Sequence, residues 1–489
     1  MTQSQVRIQL STRHPDISLR ENPGPIVVNT SNVILELTLH ALTNSSPDLR
    51  RYALSTLVNT LLESEKPVPF EFLINGTFLR TSLDEYLTAN GISSETTLAV
   101  EYVRAIIPPL YLASFEHDDW VCSVDVLSET SAAARGAGNA AMKPGQERVI
   151  SGCYDGVLRV WNMSSEIIAR APTFREGGPV SALKSVKFIS PTQIATCGMD
   201  RVIRLWDYTE DAENLTASLT PRLELYGHGN VIASVAVHQP SSRILSASWD
   251  HTVGIWSSKV SDAPPAPGEL LASHRGSKRH KVEPSITPQR GPLALLRSHT
   301  AAVTDTIFAP NDHTVAYSVS QDHTLRTWDI PTSTCVDTRS TTAVLNATVS
   351  MPTLNLVAVG GTARNITLID PRDSAISVSA MTLRGHKGWV WSLASDPDSA
   401  YGLVSGSADG TCRVWDVRSS TTDKTGKVGT SVYSIEREST KGETLKREGG
   451  DGFQVFGVCW DQKVGIVSAS KDKRVQINRG QGIFGGNSA

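Results

Sequence analysis

Short runs of alternating apolar and polar residues, separated by polar turns, follow one another along most of the chain. In residues 1–104 this pattern predicts five β-strands, at Val6–Leu10, Ile26–Asn29, Phe70–Ile74, Phe78–Arg80 and Thr97–Val103. Apolar residues at helical spacing predict a helix at Asp48–Glu63, and a single helical turn is expected at Leu83–Tyr86. A hairpin, a helix and further strands in this order predict a ubiquitin-like β-grasp domain. The segment 32–46 fits none of these elements.

From residue 110 to residue 484 a repeated pattern predicts a second domain. Small residues, an Asp in a tight turn, a branched residue and a Trp recur in SGCYDGVLRVWN (151–162), TCGMDRVIRLWD (196–207), SASWDHTVGIWS (246–257), SVSQDHTLRTWD (318–329) and SGSADGTCRVWD (405–416). Two degenerate copies, at 358–370 and 468–478, bring the number to seven. Each copy predicts two strands around a turn, because Asp accepts hydrogen bonds from backbone N–H groups just ahead of it.

These copies resemble WD repeats, and seven of them imply a mainly β chain that ends in a seven-bladed propeller of four-stranded blades. In that family a His, a strand Ser, the turn Asp and the Trp form a buried hydrogen-bond network within a blade. Such histidines are expected to be structural, because buried polar groups need partners. The matching sets are His117, Asp155 and Trp161; His228, Asp250 and Trp256; His299, Asp322 and Trp328; and His386, Asp409 and Trp415. Copies 2, 5 and 7 lack the His, so their blades are expected to be less well tied.

The segment LYLASF (110–115) predicts how the ring closes. It precedes His117 in the way that LALLRS (293–298) precedes His299, so it is an outer strand with no blade of its own ahead of it. We predict that it completes blade 7, whose other strands lie near 453–459, 464–470 and 474–478. A ring closed in this way has no open edge between its two ends.

Composition then excludes several classes of protein. With 489 residues, 39% apolar residues and a net charge of −3, the chain is expected to fold without a global attraction for nucleic acid or membranes. Neither a secretory signal nor a membrane span is expected. The six cysteines are scattered, which predicts reduced thiols and a reducing compartment. Nucleophile elbows and zinc-ligand spacings do not occur in the sequence, so an enzyme is not expected.

The N-terminal domain narrows the choice among the families of WD-repeat proteins. EKPVPFEFLINGTFLRTSLDEYL (65–87) and GISSETTLAVEYVRAIIPP (91–109) resemble the domain shared by Notchless-type and Ytm-type assembly factors of the large ribosomal subunit. Notchless proteins carry eight blades, so seven favour the Ytm type, the WD-repeat member of the Nop–Erb–Ytm (PeBoW) complex. The resemblance implies a factor of the nucleolus and nucleoplasm that acts on the pre-ribosomal large subunit. Its propeller would bind an Erb-type (BOP-type) protein, in a trimer with a Pescadillo/Nop-type protein.

The same resemblance gives Glu95 a role. It implies that the β-grasp domain binds midasin, an AAA ATPase with an adhesion-type metal site, and that Glu95 completes the coordination of a Mg ion there. A carboxylate suits this role because Mg²⁺ prefers oxygen ligands. The neighbouring acids Asp84, Glu85 and Glu101 lie on a predicted helical turn or inside a predicted strand, where they are poorly placed to reach out alone.

Residues just before the turn Asp and just after the His project onto one rim of a propeller. Here they include four large aromatics and a Met, which interface centres favour. We predict that this rim binds a partner through Trp120, Tyr154, Met199, Trp249, Lys387 and Trp389. Trp120 and Trp389 could instead turn into the central channel, and the sequence does not separate the two arrangements.

Three inserts are expected, near 128–147, 259–292 and 418–451, and the third is expected to be a mixed-charge loop. The second is rich in Pro and basic residues and is expected to be disordered. Its residues Lys278, Arg279 and Lys281 suggest a nuclear-import patch, an RNA contact or a solvated loop, and direct RNA contact stays open. A competing hypothesis is that the protein is a substrate receptor for a ubiquitin ligase, or another signalling scaffold. The proteins that co-purify with it would distinguish this hypothesis from the assembly factor.

Overall fold

The computed structural model describes residues 5–14, 17–19, 24–29, 49–63, 67–93, 95–135, 145–173, 180–211, 216–268, 287–310, 312–373, 380–423, 426–441 and 453–480. The chain divides into two compact units, one built mainly on Met1–Pro108 and the other on Pro109–Val417 and Asp423–Gly480. No helix in these described ranges has the length and hydropathy needed to cross a membrane.

The described residues of the first unit form a β-grasp sheet with two helices. Its elements are β1 (Gln5–Ser11), β2 (Ile26–Asn29), α1 (Leu49–Leu61), β3 (Phe70–Ile74), β4 (Thr77–Phe78), α2 (Leu83–Asn90) and β5 (Leu98–Arg104). The strand order is β2-β1-β5-β3-β4, with β1 and β5 parallel and the other pairs antiparallel. Buried Leu54 and Val58 of α1 belong to the same core cluster as Ile8 and Phe72 of the sheet.

Helix α2 is longer than the single turn predicted at Leu83–Tyr86, so that prediction was wrong. The Ser82 side chain accepts a hydrogen bond from the N–H of Glu85, and the Glu85 carboxylate accepts one from the N–H of Ser82. This capping box satisfies N–H groups that would otherwise lack partners at the helix start. Gly91, with a φ of 63°, ends the helix in the left-handed conformation that glycine adopts without strain.

The second unit consists of seven four-stranded groups, as the sequence predicts. Strand β6 (Pro109–Glu116) comes first. Blade 1 contains β7 (Val121–Leu127), the short helix α3 (Ala132–Arg135), β8 (Arg148–Cys153), β9 (Val157–Trp161) and β10 (Ile167–Pro172). Blade 2 contains β11 (Leu183–Ser190), β12 (Gln193–Gly198), β13 (Val202–Asp211) and β14 (Thr216–Tyr226). Blade 3 contains β15 (Ile232–His238), β16 (Arg243–Ser248), β17 (Thr252–Ser257) and, after β18 (Gln289–Arg290), β19 (Ala294–Arg297).

The remaining blades follow the same plan. Blade 4 contains β20 (Val303–Phe308), β21 (Val315–Ser320), β22 (Thr324–Asp329) and β23 (Thr334–Ser340). Blade 5 contains β24 (Leu345–Met351), β25 (Leu356–Gly361), β26 (Asn365–Ile369) and β27 (Met381–Arg384). Blade 6 contains β28 (Val390–Ser395), β29 (Gly402–Ser407), β30 (Thr411–Asp423) and β31 (Gly426–Glu436). Blade 7 contains β32 (Val455–Asp461), β33 (Gly465–Ser470) and β34 (Arg474–Gly480).

The first strands of the blades form a closed ring. Strands β7, β11, β15, β20, β24, β28 and β32 contact one another in that order, and β32 contacts β7 again. The outer strand of blade 7 is β6, which pairs antiparallel with β34. The predicted closure by residues 110–115 is therefore confirmed, and the three partner strands lie where the sequence predicts them.

Every blade turns in the same way between its second and third strands. The residue after the turn Asp, or after Ala363 in blade 5, has a positive φ in each blade. Glycine fills this position in blades 1 and 6 without strain, whereas five blades place another residue there. The seven residues are Gly156, Arg201, His251, His323, Arg364, Gly410 and Lys473. We call the face that carries these turns the upper rim.

Each of the three predicted inserts contains an ordered segment that we did not expect, and in the first it is helix α3. The third insert is not simply a loop, because β30 continues to Asp423 and β31 runs from Gly426 to Glu436 and pairs in parallel with β27 through Val428, Gly429 and Thr430. In the basic insert, β18 pairs in parallel with β14. The segment 32–46 and the patch Lys278, Arg279 and Lys281 lie outside the described residues, as do residues 136–144 of the first insert.

Candidate functional site

Three blades contain the complete hydrogen-bond network. In blade 3, His228 Nδ1 lies 2.8 Å from Asp250 Oδ2 and its Nε2 lies 2.7 Å from Ser246 Oγ. The indole N–H of Trp256 donates to the same Ser246 oxygen over 2.7 Å. The corresponding residues of blade 4 (His299, Asp322, Ser318, Trp328) and blade 6 (His386, Asp409, Ser405, Trp415) repeat these contacts between 2.6 and 2.9 Å.

These networks contain the residue types of a Ser–His–Asp catalytic triad, but they cannot serve as one. The Ser246 side chain is fully buried, and its oxygen already accepts the Trp256 N–H. A nucleophile must reach a substrate carbonyl, and no substrate can approach this oxygen. The networks therefore hold the blades together, in agreement with the structural role predicted for them.

Hydrogen bonding also sets the charge of these groups. Burial alone would raise the pKa of Asp322, but hydrogen bonds from Thr324 and His299 outweigh it and lower this pKa to about 2. Burial lowers the pKa of His299 despite the neighbouring carboxylate. The ionised Asp322 carboxylate is thus part of the folded blade at neutral pH.

Blade 1 departs from the pattern that the sequence suggested. His117 Nε2 contacts Ser151 Oγ over 2.8 Å, and Trp161 donates to the same oxygen, but His117 Nδ1 faces the carbonyl of Phe115. Asp155 pairs with Arg159 over 2.6 Å instead of with His117. Burial, together with the positive charge of Arg159, lowers the pKa of His117 to about 4, so this imidazole is neutral at pH 7.

Blade 7 lacks the His, yet a different buried hydrogen-bond network holds it together. The expectation that blade 7 is held less well than the blades with a His was therefore wrong. The fully buried guanidinium of Arg437 contacts both Asp472 oxygens at 3.0 Å and donates to Ser468 Oγ over 2.7 Å. It also donates to the carbonyl of Arg474 over 2.8 Å. Arg437 follows β31, outside every repeat copy, and no sequence pattern marked it. We call Arg437, Ser468 and Asp472 the Arg437 network.

The predicted partner-binding residues lie on the upper rim. Trp389 is 49% exposed, Met199 40%, and Trp120 and Trp249 37% each, while Tyr154 is half-buried and Lys387 is exposed. Trp120 and Trp389 are therefore partly open to solvent, although each also contacts an aromatic ring of a first strand, Phe456 and Trp391 respectively. Large apolar side chains exposed together on one face are typical of a protein interface.

Five aromatic rings form a continuous group on this rim, which we call the aromatic collar. Ring centroids are separated by 5.4 Å between Tyr154 and Trp120, 6.4 Å between Trp120 and Phe456, 6.2 Å between Phe456 and Trp391, and 5.8 Å between Trp391 and Trp389. Phe456 and Trp391 belong to the first strands of blades 7 and 6, so the collar spans blades 6, 7 and 1. Met199 and Trp249 stand on blades 2 and 3.

Two lysines cap rings of the collar. Lys184 Nζ lies 4.7 Å from the Tyr154 ring centroid and donates to its hydroxyl over 2.6 Å. Lys471 Nζ lies 4.7 Å from the Trp120 ring centroid. Neither lysine was predicted from the sequence, although Lys471 precedes Asp472 as Tyr154 precedes Asp155. An alignment of all seven turns would have placed Lys471 on the rim.

Glu95 lies on an exposed turn before β5. Its backbone N–H donates to Ser93 Oγ over 3.3 Å, and the Thr96 N–H donates to the Ser93 carbonyl over 3.2 Å. The neighbouring acids have local functions: Glu85 caps α2, and the half-buried Glu101 pairs with Arg13 at 3.2 Å. Asp84 lies in the first turn of α2.

This arrangement fits the donation of one ligand to a metal held by another protein. A single exposed carboxylate supplies a hard oxygen donor of the kind that Mg²⁺ prefers. Among the described residues, three or more His, Cys, Asp or Glu side chains do not come together in a group that could hold a metal.

Comparison with known proteins agrees with this architecture. The profile of the NLE (NUC135) domain matches residues 6–87. The profile of the WD domain, G-beta repeat, matches residues 111–162, 174–207, 219–257, 290–329 and 377–416. These five matches contain the five Trp-bearing copies, and the degenerate copies of blades 5 and 7 fall outside them. The fold and these matches define a WD-repeat propeller protein with an N-terminal NLE domain, a non-catalytic scaffold.

Full-length relatives identify the family within this class. The chain is 59% identical to "Ribosome biogenesis protein ytm1" of Neosartorya fischeri, over 99% of this chain and 96% of that protein. It is 59% identical to the protein of the same name from Aspergillus oryzae, over 99% and 97%. The Emericella nidulans protein is 58% identical over the same shares. The chain belongs to the Ytm1 family of ribosome biogenesis proteins.

Proposed function

We propose that this protein is a non-enzymatic assembly factor for the large ribosomal subunit, with one binding site on each of its two units. The propeller binds an Erb-type WD-repeat protein, in a complex with a Pescadillo/Nop-type protein on the pre-ribosome in the nucleolus and nucleoplasm. The N-terminal unit gives Glu95 to a Mg ion in the adhesion-type site of midasin, whose ATPase activity then removes the complex. Membership of the Ytm1 family is the observation that carries the proposal.

The upper rim supports the propeller part of the proposal. Four large apolar side chains are exposed there, and buried hydrogen-bond networks hold blades 3, 4 and 6 rigid beneath it. A rigid rim presents its side chains without a large ordering cost on binding, which favours tight association.

Affinity purification of the full chain tests the partners. Ribosome-assembly factors, with an Erb-type protein among them, are expected to co-purify, whereas cullin-type subunits would support a ubiquitin-ligase receptor instead. Replacing Tyr154 or Trp249 by Ala is expected to weaken binding to the Erb-type protein by at least tenfold, because central aromatic residues dominate interface energies. Val336→Ala on the outer strand of blade 4 is the matched control, since Val336 is 68% exposed away from the rim. Full binding by both rim variants would refute this interface.

A charge-neutral substitution tests the metal ligand. Glu95→Gln keeps the size of the side chain but supplies only a neutral amide, so binding to midasin is expected to be lost while the Erb-type protein still binds. Asp84→Asn removes a charge from another exposed acid of the same unit and should preserve midasin binding. Retained binding by Glu95→Gln would show that Glu95 is only a solvated surface acid.

The basic insert provides a test of localisation. Fusing residues 259–292 to a cytoplasmic reporter should carry that reporter into the nucleus if Lys278, Arg279 and Lys281 act as an import patch. A reporter that stays in the cytoplasm would leave import to another part of the chain.

A further inference from the structure

The aromatic collar has a charge pattern that restricts what can bind to it. Lys184 donates a hydrogen bond to the hydroxyl of Tyr154, and the Lys471 ammonium lies over the ring of Trp120. The ring quadrupole attracts an ammonium over an aromatic face, and the hydroxyl of Tyr154 orients the other, so both cations already lie at the collar before any ligand arrives. Lys387 adds an exposed cation beside Trp389.

The acidic side chains of blade 1 that lie close to the collar already make ion pairs or hydrogen bonds within that blade. Asp118 and Asp155 both pair with the guanidinium of Arg159, at 2.8 and 2.6 Å. The Asp119 carboxylate accepts the backbone N–H of Trp120 over 2.8 Å. Local pairing thus reduces the negative potential of these acids, while Lys184, Lys387 and Lys471 contribute positive charge at the ring faces and the rim.

The covered ring faces disfavour single-stranded nucleic acid. Base recognition by aromatic residues needs open faces on which bases can stack. The Lys471 ammonium covers one face of Trp120, and Trp120 meets Tyr154 at 71°, so that an edge of one ring is directed at the face of the other. The groups left for a ligand are ammonium N–H donors and ring edges, both of which attract carboxylates.

One further donor points to the same class of ligand. The indole N–H of Trp391 is shielded from solvent and has no hydrogen-bond acceptor within the described part of the chain. A buried donor without an acceptor destabilises the state that contains it. A small rotation of this ring toward a ligand oxygen would relieve that cost.

We propose that the aromatic collar binds an acidic, aromatic-containing segment of a partner protein, whose carboxylates contact Lys184 and Lys471 and whose apolar side chain packs against Trp389 and Trp391. The proposal rests on the propeller interface described above and adds the chemistry of its occupant. Complementarity between cations fixed on the rim and carboxylates of the partner favours this segment over a neutral one. The ligand is a protein segment, and RNA is the alternative that the test excludes.

The test measures direct binding to the full chain with two labelled probes. One is a twelve-residue peptide of Glu and Asp around a single Trp, and the other is a twelve-nucleotide oligouridine. We expect the peptide to bind in 50 mM salt, and to bind less tightly in 300 mM salt because screening weakens exposed ion pairs. Lys471→Glu and Lys184→Glu should each weaken peptide binding about tenfold or more, whereas Lys471→Arg should stay within threefold of the unmodified protein.

Matched controls separate the charge of the collar from general electrostatics. Lys259→Glu makes the same charge change on an exposed lysine that follows the third strand of blade 3, at the face opposite the upper rim, and should leave peptide binding unchanged. Absence of peptide binding, equal binding by the Lys→Glu variants, or binding of oligouridine in place of the peptide would each overturn the proposal. Circular dichroism of each variant checks that the propeller still folds.

Binding of the Erb-type protein to the same variants keeps the two proposals apart. If the unmodified chain binds that protein and Lys471→Glu binds it equally well, the acidic segment is wrong and the interface partner stands. If the acidic peptide binds but the Erb-type protein does not, the chemistry of the collar is right and the partner is wrong.

Discussion

Removing the buried cation of blade 7 should loosen one blade far more than the others. In the Arg437 network the guanidinium and its partner Asp472 are only 1% and 3% exposed. Removing one member of a buried ion pair costs about 3–5 kcal/mol, because the other charge stays buried without compensation. Arg437→Met keeps much of the side-chain volume and leaves Asp472 in that state. At 1.4 kcal/mol per factor of ten, the opening equilibrium of blade 7 should rise about a hundredfold to a few thousandfold.

Native-state hydrogen exchange of the full chain measures this effect blade by blade. Amides of β33, β34 and β6 should lose protection by that factor, since Arg437 contacts β33 through Ser468 and β34 through Arg474, and β34 pairs with β6. Amides of β16 and β17 in blade 3 should change less than threefold, because the network of His228 is untouched.

A double variant provides the control. Arg437→Met combined with Asp472→Asn removes both charges and keeps an oxygen that can accept the Arg474 N–H, and removing both charges of a buried pair costs less than leaving one of them unpaired. Most of the lost protection should therefore return. The reasoning would be refuted if Arg437→Met left blade 7 within threefold of the unmodified protein, or if it lowered protection equally in blades 3 and 7.

Three further outcomes follow from the structure. The pKa of Asp322 is lowered to about 2, so its ionised form stabilises the fold above pH 4, and this contribution of about 2 kcal/mol is lost as the pH falls toward 2. Asp322→Asn should therefore flatten the dependence of the melting temperature on pH between pH 5 and pH 2. An unchanged slope would contradict this. Gly361→Ala should lower the melting temperature measured by calorimetry by several degrees, because the added Cβ would lie 1.8 Å from the Val344 carbonyl oxygen. Gly229→Ala is the control and should have little effect, because a Cβ there would lie 3.9 Å from the nearest atom. Thiol labelling at pH 7.5, followed by mass spectrometry, should modify the half-exposed Cys335 before Cys412 and Cys153. Burial raises the pKa of the Cys412 thiol to about 11 and that of the Cys153 thiol to about 12, so few thiolates form there. Earlier modification of Cys412 or Cys153 would contradict this.

Much of the fold was predictable because local pattern and global structure agree. Each turn Asp organises the backbone just ahead of it, as Asp250 does by accepting the N–H of Thr252 over 3.0 Å. Such signals lie within a few residues of the structure that they specify. Strand β6 could be placed in blade 7 for the same reason, since its pattern matches the segment before His299.

The errors have a different origin. Arg437 acts on Ser468 and Asp472, more than thirty residues further along the chain, and no repeat position points to it. Asp155 and Arg159 are four residues apart and could have been paired from the sequence, but the match of His117 to the family pattern concealed that choice. The hairpin of β30 and β31 was taken for a loop because its Ser- and Thr-rich strands lack apolar alternation. Tertiary pairing often overrides such weak local preferences.

Because β6 pairs with β34, blade 7 cannot be completed until nearly the whole propeller has been synthesised. Roughly 360 residues separate the two strands along the chain, and translation at about 5–20 residues per second needs about 20–70 s to produce them. Throughout that interval Leu110 and Phe115 belong to a nascent strand that has no permanent partner. An apolar strand with a free edge readily pairs with a wrong one. Newly made chains should therefore need protection at β6, and the need should end once Arg474–Gly480 has left the translating ribosome.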